Sequence, residues 1–398
     1  MKIDKVKEFL SKYLTYFLTL LFCLNLTFLK DLEIFHYIYI GVICLSFILL
    51  FLNYKYINFK NIKKYWYIWL YLFFRIVSIC INDNFLLNFK GFIYECFFLI
   101  NVNFLLNKSK KVININENII IITNLVLNVI SVIFQYFIKQ DFSRELFGIY
   151  SNPNGLAILT LVSIILYYKK KEKKEKKFLN IVSFSYYLFS VAVIYVSYSR
   201  TCIYILIILF IINFLLKKNL FDINKLKKFS FICIYFFLIF FIAFSYLHKN
   251  EIVSTKFEKT INNITTNRYY LWKYSLFSLE NKPLLGIGNL NIGVNRYNQV
   301  PKKILNSLEK SRANRLSMNN NHNGYFQLLV SSGLICFILF TIYIYKLIMY
   351  TSDKYFYLIL AILIINIFEN ELIISTSLGM FLLAYFNVDN KGLIGERR

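Results

Sequence analysis

A chain of 398 residues that is 58% hydrophobic and 19% aromatic, with only 3 prolines, cannot hide its apolar surface in one soluble core. Its mean hydropathy of +0.54, with apolar runs of about 17–22 residues recurring along its length, excludes a soluble enzyme and indicates a polytopic membrane protein, all-α in class. The formal net charge of +25 does not indicate nucleic acid, because most lysines fall in short loops between apolar runs, as the positive-inside rule expects.

Taken in order, the apolar runs predict spans near Leu10 to Leu29, Ile34 to Leu52, Tyr65 to Ile81, Gly91 to Leu106, Ile119 to Ile138 and Gly155 to Tyr168. Between Lys177 and Lys217 the only charge is Arg200. That stretch is about two crossings long and predicts two spans that turn sharply at Ser199-Arg200-Thr201. A ninth span is near Phe229 to Leu247, and then the segment 248–323 forms one long loop. Three more follow near Tyr325 to Tyr350, Tyr355 to Phe368 and Leu372 to Phe386. The N-terminus, MKIDKVKEFLSKYL, has no small-residue cleavage site and reads as an uncleaved first span. All seven cysteines (Cys23, Cys44, Cys80, Cys96, Cys202, Cys233, Cys336) lie in apolar runs, so no disulfide framework is expected.

About twelve spans with both ends in the cytoplasm put nearly every short-loop lysine cluster inside and the 248–323 loop outside. Residues 1–398 are then a single integral membrane domain. No internal repeat is visible, which argues against a carrier built from repeated halves.

This topology gathers chemistry at the outer face. His322, one of three histidines, sits where the long loop ends and a span begins, in MNNNHNGYFQ. A neutral imidazole suits removal of a proton from an attacking hydroxyl. Arg200 and Arg268 reach the same side, and two planar guanidiniums suit a diphosphate. Each has a plain alternative: Arg200 as a snorkelling charge, Arg268 as an interfacial anchor on an amphipathic helix marked by Tyr269, Trp272, Leu276 and Leu279, and His322 as an ordinary helix-start residue. Arg75 and Glu95, in adjacent spans at similar depth, are expected to form a buried structural ion pair. Pro283-Leu-Leu-Gly-Ile-Gly-Asn289 lacks the strand and lysine of a phosphate loop and reads as a turn. Tyr150-Ser-Asn-Pro-Asn-Gly155 reads as a turn ahead of a helix. No residue spacing suggests a metal, and no cofactor is expected.

Four stretches in this order resemble a known family: Gly148-x-x-x-Asn152-Pro-Asn154-x-Leu156-Ala157; Ser199-Arg200-Thr201; Arg268-x-x-x-Trp272 with Pro283-Leu-Leu-Gly286-Ile-Gly288; and His322-Asn323-x-Tyr325-x-Gln327 followed by Gly333-Leu334. Together they resemble the O-antigen ligase/polymerase superfamily of bacterial membrane glycosyltransferases, over about residues 148–350. The resemblance implies a metal-independent, inverting enzyme of the cytoplasmic (inner) membrane. Its donor would be an undecaprenyl-pyrophosphate-linked glycan. Arg200 and Arg268 would hold the pyrophosphate, His322 would activate the acceptor hydroxyl, and Asn152, Asn154, Asn323 and Trp272 would support them.

The chain departs from the pattern at Ser331 and Ser332, where an acidic residue often precedes the glycine, and in a basic insert over Pro301 to Arg315. The single large loop carrying both Arg268 and His322 favours a ligase acting on lipid A-core. A surface-polysaccharide polymerase acting on a lipid-linked glycan is the alternative on the same scaffold. A lipid-linked sugar flippase is the rival of another class, but it should need charges near the midplane reachable from both faces.

Overall fold

The computed structural model describes residues 2–52, 66–97, 99, 110–142, 145–171, 177–251, 256–265, 268–288, 292–308, 314–317, 321–369 and 382. Among these the secondary structure is helical, with a lone bridge between Thr27 and Tyr150. In chain order the helices are α1 (Lys2–Leu24), α2 (Glu33–Leu52), α3 (Trp66–Cys80), α4 (Phe85–Cys96) and α5 (Lys110–Val132), which a π-helical stretch, Ile133–Ile138, prolongs. Then come α6 (Pro153–Lys171), α7 (Lys177–Val196), α8 (Arg200–Lys217) and α9 (Ile223–His248). The long loop folds into α10 (Lys256–Ile264), α11 (Tyr269–Asn281), α12 (Ile292–Gln299) and α13 (Lys302–Ser307). The chain returns as α14 (Gly324–Tyr350) and α15 (Asp353–Phe368). The span expected at 372–386 lies outside the described residues apart from Leu382, which is buried.

Among the described residues four helices are long and apolar enough to cross a membrane: 112–138, α8, α9 and α14. Shorter apolar stretches lie in α1, α2, α3, α7 and α15. The outward faces of α8 and α9 carry bare aromatic and aliphatic side chains, such as Phe210, Phe236 and Ile239, which suit lipid rather than water. Inside the bundle α6 is buried from Gly155 to Leu166 and α15 from Tyr355 to Leu363. Polar residues of α5 that face inward are tied across helices: Thr19 donates to Asn116 at 3.1 Å, and Thr160 links Asn124 and Asn128 at 3.1 and 2.9 Å. In a bilayer such pairing offsets part of the cost of burying these side chains.

The sequence reading of α11 as an amphipathic helix lying on the bilayer is corrected here. Every residue from Tyr269 to Ser278 is buried, and the helix packs against α9 and α14. Lys273 and Glu258, both nearly inaccessible, pair at 2.8 Å and fasten α10 to it.

A second departure concerns α14. The helix is broken at Gly333, where φ is 76° and ψ 179°. Residues Pro283–Gly288 enter the break and replace the missing helical bonds. Leu334 N donates to Pro283 O at 2.9 Å and Ile335 N to Leu284 O at 3.3 Å, while Ile287 N and Gly288 N donate to Val330 O and Ser331 O at 3.1 and 2.9 Å. The fit depends on two glycines, both at positive φ. A Cβ on Gly333 would lie 2.2 Å from Leu284 O, and one on Gly286 would lie 2.5 Å from Gly333 N. The stretch read as a turn is a wedge that pins α14 open.

Candidate active site

Three enclosed helices bring their ends to one point. Asn154, at the start of α6, donates through Nδ2 to Glu369 Oε1 at 2.8 Å, just past the end of α15. Gly324 N, at the start of α14, donates to Glu369 O at 3.2 Å. His322 Nδ1 lies 3.5 Å from the other carboxylate oxygen, Oε2. Glu369, through its carboxylate and its backbone carbonyl, therefore gathers α6, α14 and α15.

His322 stands at this junction for local reasons. Asn323 caps α14, its Oδ1 accepting from Tyr325 N and Phe326 N, both at 3.0 Å. His322 takes a left-handed conformation, φ 48°, an uncommon one for a residue with a side chain. Its side chain is left 36% exposed. The preceding residue is clamped. Trp272 Nε1 donates to Asn321 O at 2.7 Å, and the indole stacks on Phe326 with centroids 5.7 Å apart. The Asn321 side chain accepts from Ser275 Oγ at 2.8 Å and from the buried guanidinium of Arg296. Arg296 also donates to Leu316 O at 2.8 Å. Burial lowers its proton affinity, to about 10, so it stays a cation at neutral pH.

Next to Glu369 opens a cavity of about 270 Å³, lined by Arg200, Arg268, Asn154 and Glu369, with Glu145 and Thr201 also on its wall. Arg200 is the first residue of α8; the turn before it is at Ser197–Ser199, slightly earlier than the sequence suggests. Its guanidinium is exposed and bonds to none of the described residues. Arg268 caps α11. Its Nη2 lies 2.9 Å from Glu369 Oε1 and its Nη1 donates to Phe368 O. The cavity thus offers two guanidiniums to an anion, one of them already aimed by a carboxylate. An imidazole stands on that carboxylate's other oxygen. Two guanidiniums are suited to a phosphate-bearing group, and an imidazole beside them is chemically able to take a proton.

The residues that build this arrangement fall largely in one stretch, 185–341, and that stretch matches a known family model described as O-antigen ligase. Residues 185–341 are thus similar to an O-antigen ligase domain. The match runs from within α7 into α14 and takes in Arg200, Arg268, Trp272, His322 and Asn323. No curated protein matches the chain. That similarity points to glycosyl transfer of the ligase or polymerase type.

The other residues singled out from sequence have their places. Asn152 stands apart from the cavity wall and accepts from Gly155 N at 2.6 Å, which caps α6 and so sets Asn154. Arg75 and Glu95 are buried and bond in two-pronged fashion, Nε to Oε2 at 2.9 Å and Nη2 to Oε1 at 2.6 Å. Tyr71 adds a bond to Glu95 Oε2 at 3.3 Å. The pair joins α3 to α4. Glu369 is the member of this cluster to which the sequence gives no role, although its turn is expected at the outer face. It sits outside the family match, and its only sequence signal is a carboxylate in a short turn on the same side as His322. Among the described residues no group of three or more His, Cys, Asp or Glu side chains is placed to hold a metal.

Proposed function

We propose that this protein is an O-antigen ligase that moves a glycan from undecaprenyl pyrophosphate to a hydroxyl of lipid A-core. The donor diphosphate sits on Arg200 and Arg268. His322 presents Nε2 to the acceptor hydroxyl, because Nδ1 is turned to Glu369. The hydroxyl oxygen attacks the anomeric carbon as its proton passes to the imidazole. The bond from that carbon to the diphosphate oxygen breaks, and its electron pair leaves with the diphosphate, where the two guanidiniums stabilise the charge. Attack opposite the leaving group inverts the anomeric centre. Glu369 stabilises the imidazolium that forms, in the manner of the carboxylate of a catalytic triad. Trp272 and Asn323 hold His322 in place, and Asn154 holds Glu369.

The observation that carries this reading is that Glu369 touches both Arg268 and His322 at the lip of a cavity that Arg200 also lines. Support for an extracytoplasmic site comes from charge. The opposite ends of the helices carry Lys169, Lys170, Lys217, Lys218, Lys225, Lys227 and Lys228, as expected for the cytoplasmic side of the inner membrane. Both termini then lie in the cytoplasm, and residues 248–323 form the extracytoplasmic loop.

The test is His322→Ala, with the surface glycan and the lipid-linked intermediates followed together. Loss of long chains from an intact core, with donor accumulating on the outer leaflet, is expected. A single repeat unit still attached to the core indicates a polymerase instead. Donor trapped on the inner leaflet indicates a flippase, and unchanged glycan removes His322 from the chemistry.

A further inference from the structure

The cavity beside Glu369 has a part that the transfer chemistry does not use. Asn154 and Arg268 are both bonded to Glu369 on one stretch of its wall. Glu145, Ser197 and Tyr198 make another stretch. Leu146 N donates to Val196 O at 3.1 Å, which sets Glu145 beside the Ser197–Tyr198 turn. The segment that carries Glu145 is braced from below. The π-helical stretch Ile133–Ile138 buries Gln135, whose Nε2 donates to Glu145 O at 3.0 Å. Its Oε1 accepts from Phe147 N and Gly148 N at 2.9 and 3.0 Å. A single buried side chain thus fixes the backbone that presents an exposed carboxylate to the cavity. Tyr198 is fixed as well: its N donates to Tyr195 O at 3.1 Å, and its φ of 54° is an uncommon and costly one for an aromatic residue. Its side chain is 66% exposed.

A carboxylate on this wall opposes the entry of a diphosphate, because like charges repel across so small a space. It is accounted for by a part of the ligand that is neutral and rich in donors. A carboxylate only accepts, through two oxygens side by side, and two neighbouring ring hydroxyls of a sugar match that pattern. An exposed aromatic ring next to it suits the C–H face of the same sugar. The cavity, at about 270 Å³, approaches the size of sites that enclose a whole small ligand.

We propose that Glu145 and Tyr198 form the subsite for the sugar bonded directly to the donor diphosphate. The inference rests on the diphosphate lying on Arg200 and Arg268, as proposed above. The Glu145 carboxylate accepts from two neighbouring hydroxyls of that sugar, and the Tyr198 ring lies against its C–H face. Glu145 touches no reacting atom and determines specificity: a donor whose first sugar lacks the paired hydroxyls leaves a charged acceptor unmatched and is rejected.

The experiment is a titration of the full chain in detergent, read by native mass spectrometry, with two lipids. One is undecaprenyl diphosphate and the other is undecaprenyl diphosphate carrying one N-acetylglucosamine. The wild type is expected to bind the sugar-bearing lipid about tenfold more tightly. Glu145→Ala should move the two affinities in opposite directions. The sugar-bearing lipid binds more weakly, and the sugar-free lipid binds about threefold more tightly because a like charge has gone. A variant that is merely loosened weakens both. Tyr198→Ala should cut the affinity for the sugar-bearing lipid about fivefold and spare the sugar-free one, and Tyr198→Phe should behave as wild type. Arg268→Ala should weaken both lipids alike; if it changes neither, the diphosphate lies elsewhere and the proposed function fails together with this subsite. If Arg268→Ala weakens both but the wild type does not distinguish the lipids, the sugar subsite alone is overturned, and that comparison needs no Glu145 variant to fold. A preference that survives Glu145→Ala overturns it too.

Discussion

Replacing Glu369 with Gln keeps the side chain's size and removes its charge. The carboxylate now serves three residues: Oε1 accepts from Asn154 and Arg268 at 2.8 and 2.9 Å, and Oε2 faces His322 Nδ1 at 3.5 Å. A glutamine that keeps its oxygen toward Arg268 and Asn154 turns its NH2 toward His322. That NH2 donates to Nδ1 and fixes the proton on Nε2, the nitrogen that must accept one from the acceptor. The lost charge can be sized. At 3.5 Å and an effective dielectric of about 20, a carboxylate stabilises an imidazolium by about 5 kcal/mol. The imidazole is 36% exposed, and solvent screening reduces this to about 2 kcal/mol, or about 30-fold in rate. The wrong tautomer adds to that, so kcat should fall about 100- to 1,000-fold in total. Donor KM should stay level or fall, because Arg268 loses its internal anion and is left to the diphosphate. The assay is transfer in membrane vesicles supplied with lipid-linked donor and acceptor, with Glu369→Asp as the charge-retaining control. A folded Gln variant that keeps wild-type kcat, or one whose only defect is a raised donor KM, refutes the reasoning.

Trp272→Phe removes the bond to Asn321 O while keeping most of the stacking on Phe326; kcat should fall about tenfold with thermal stability lowered by about 1 kcal/mol, read by transfer assay and by melting in detergent. Gly286→Ala forces a Cβ to within 2.5 Å of the α14 backbone at a positive φ and should destabilise the protein by about 2–4 kcal/mol, seen as a lower melting temperature. Breaking the Arg75–Glu95 pair with Glu95→Gln strands a buried guanidinium and should cost about 3–5 kcal/mol, whereas Arg75→Met with Glu95→Met together should recover much of it in the same melting assay. Arg296→Met releases Asn321 and Leu316 at once; it should lower kcat more than it raises donor KM, a split that steady-state kinetics resolves.

Hydropathy reads what lipid dictates, and so α1 to α3, α5 to α9, α14 and α15 overlap the apolar runs, whereas α4 covers Phe85–Cys96 and the expected span from Gly91 to Leu106 lies, beyond residue 99, outside the described residues. The buried two-pronged pair of Arg75 and Glu95 was legible too, because a charge within a span needs a partner at its own depth. Packing within residues 248–323 follows different rules. The face pattern of α11 gave no hint that all its sides would be covered, since Ser275 and Lys273 are polar residues whose partners, Asn321 and Glu258, come from other segments. The break at Gly333 was hidden for a similar reason: a lone glycine in an apolar run looks like an ordinary span residue until Pro283–Gly288 fills the gap. Glu369 was hidden because a carboxylate at the end of a span is commonplace. Its meaning comes from Asn154 and Arg268, more than 200 and about 100 residues away.

The wedge at Gly333 has a mechanical consequence. α11 begins at Arg268 and runs on into the wedge, while the first segment of α14 begins beside His322 and ends at the break. These two rods are riveted at both extremities, by Trp272 on Asn321 at one and by Pro283–Gly288 in the break at the other. A cation and a base mounted on such a truss keep a constant separation, whatever the bilayer does to the surrounding helices. Arg200 belongs to another piece, the turn between α7 and α8. Admission of a bulky lipid-borne donor and release of the spent carrier would then come from the yielding of that second piece alone, with the imidazole and its neighbouring arginine moving as one.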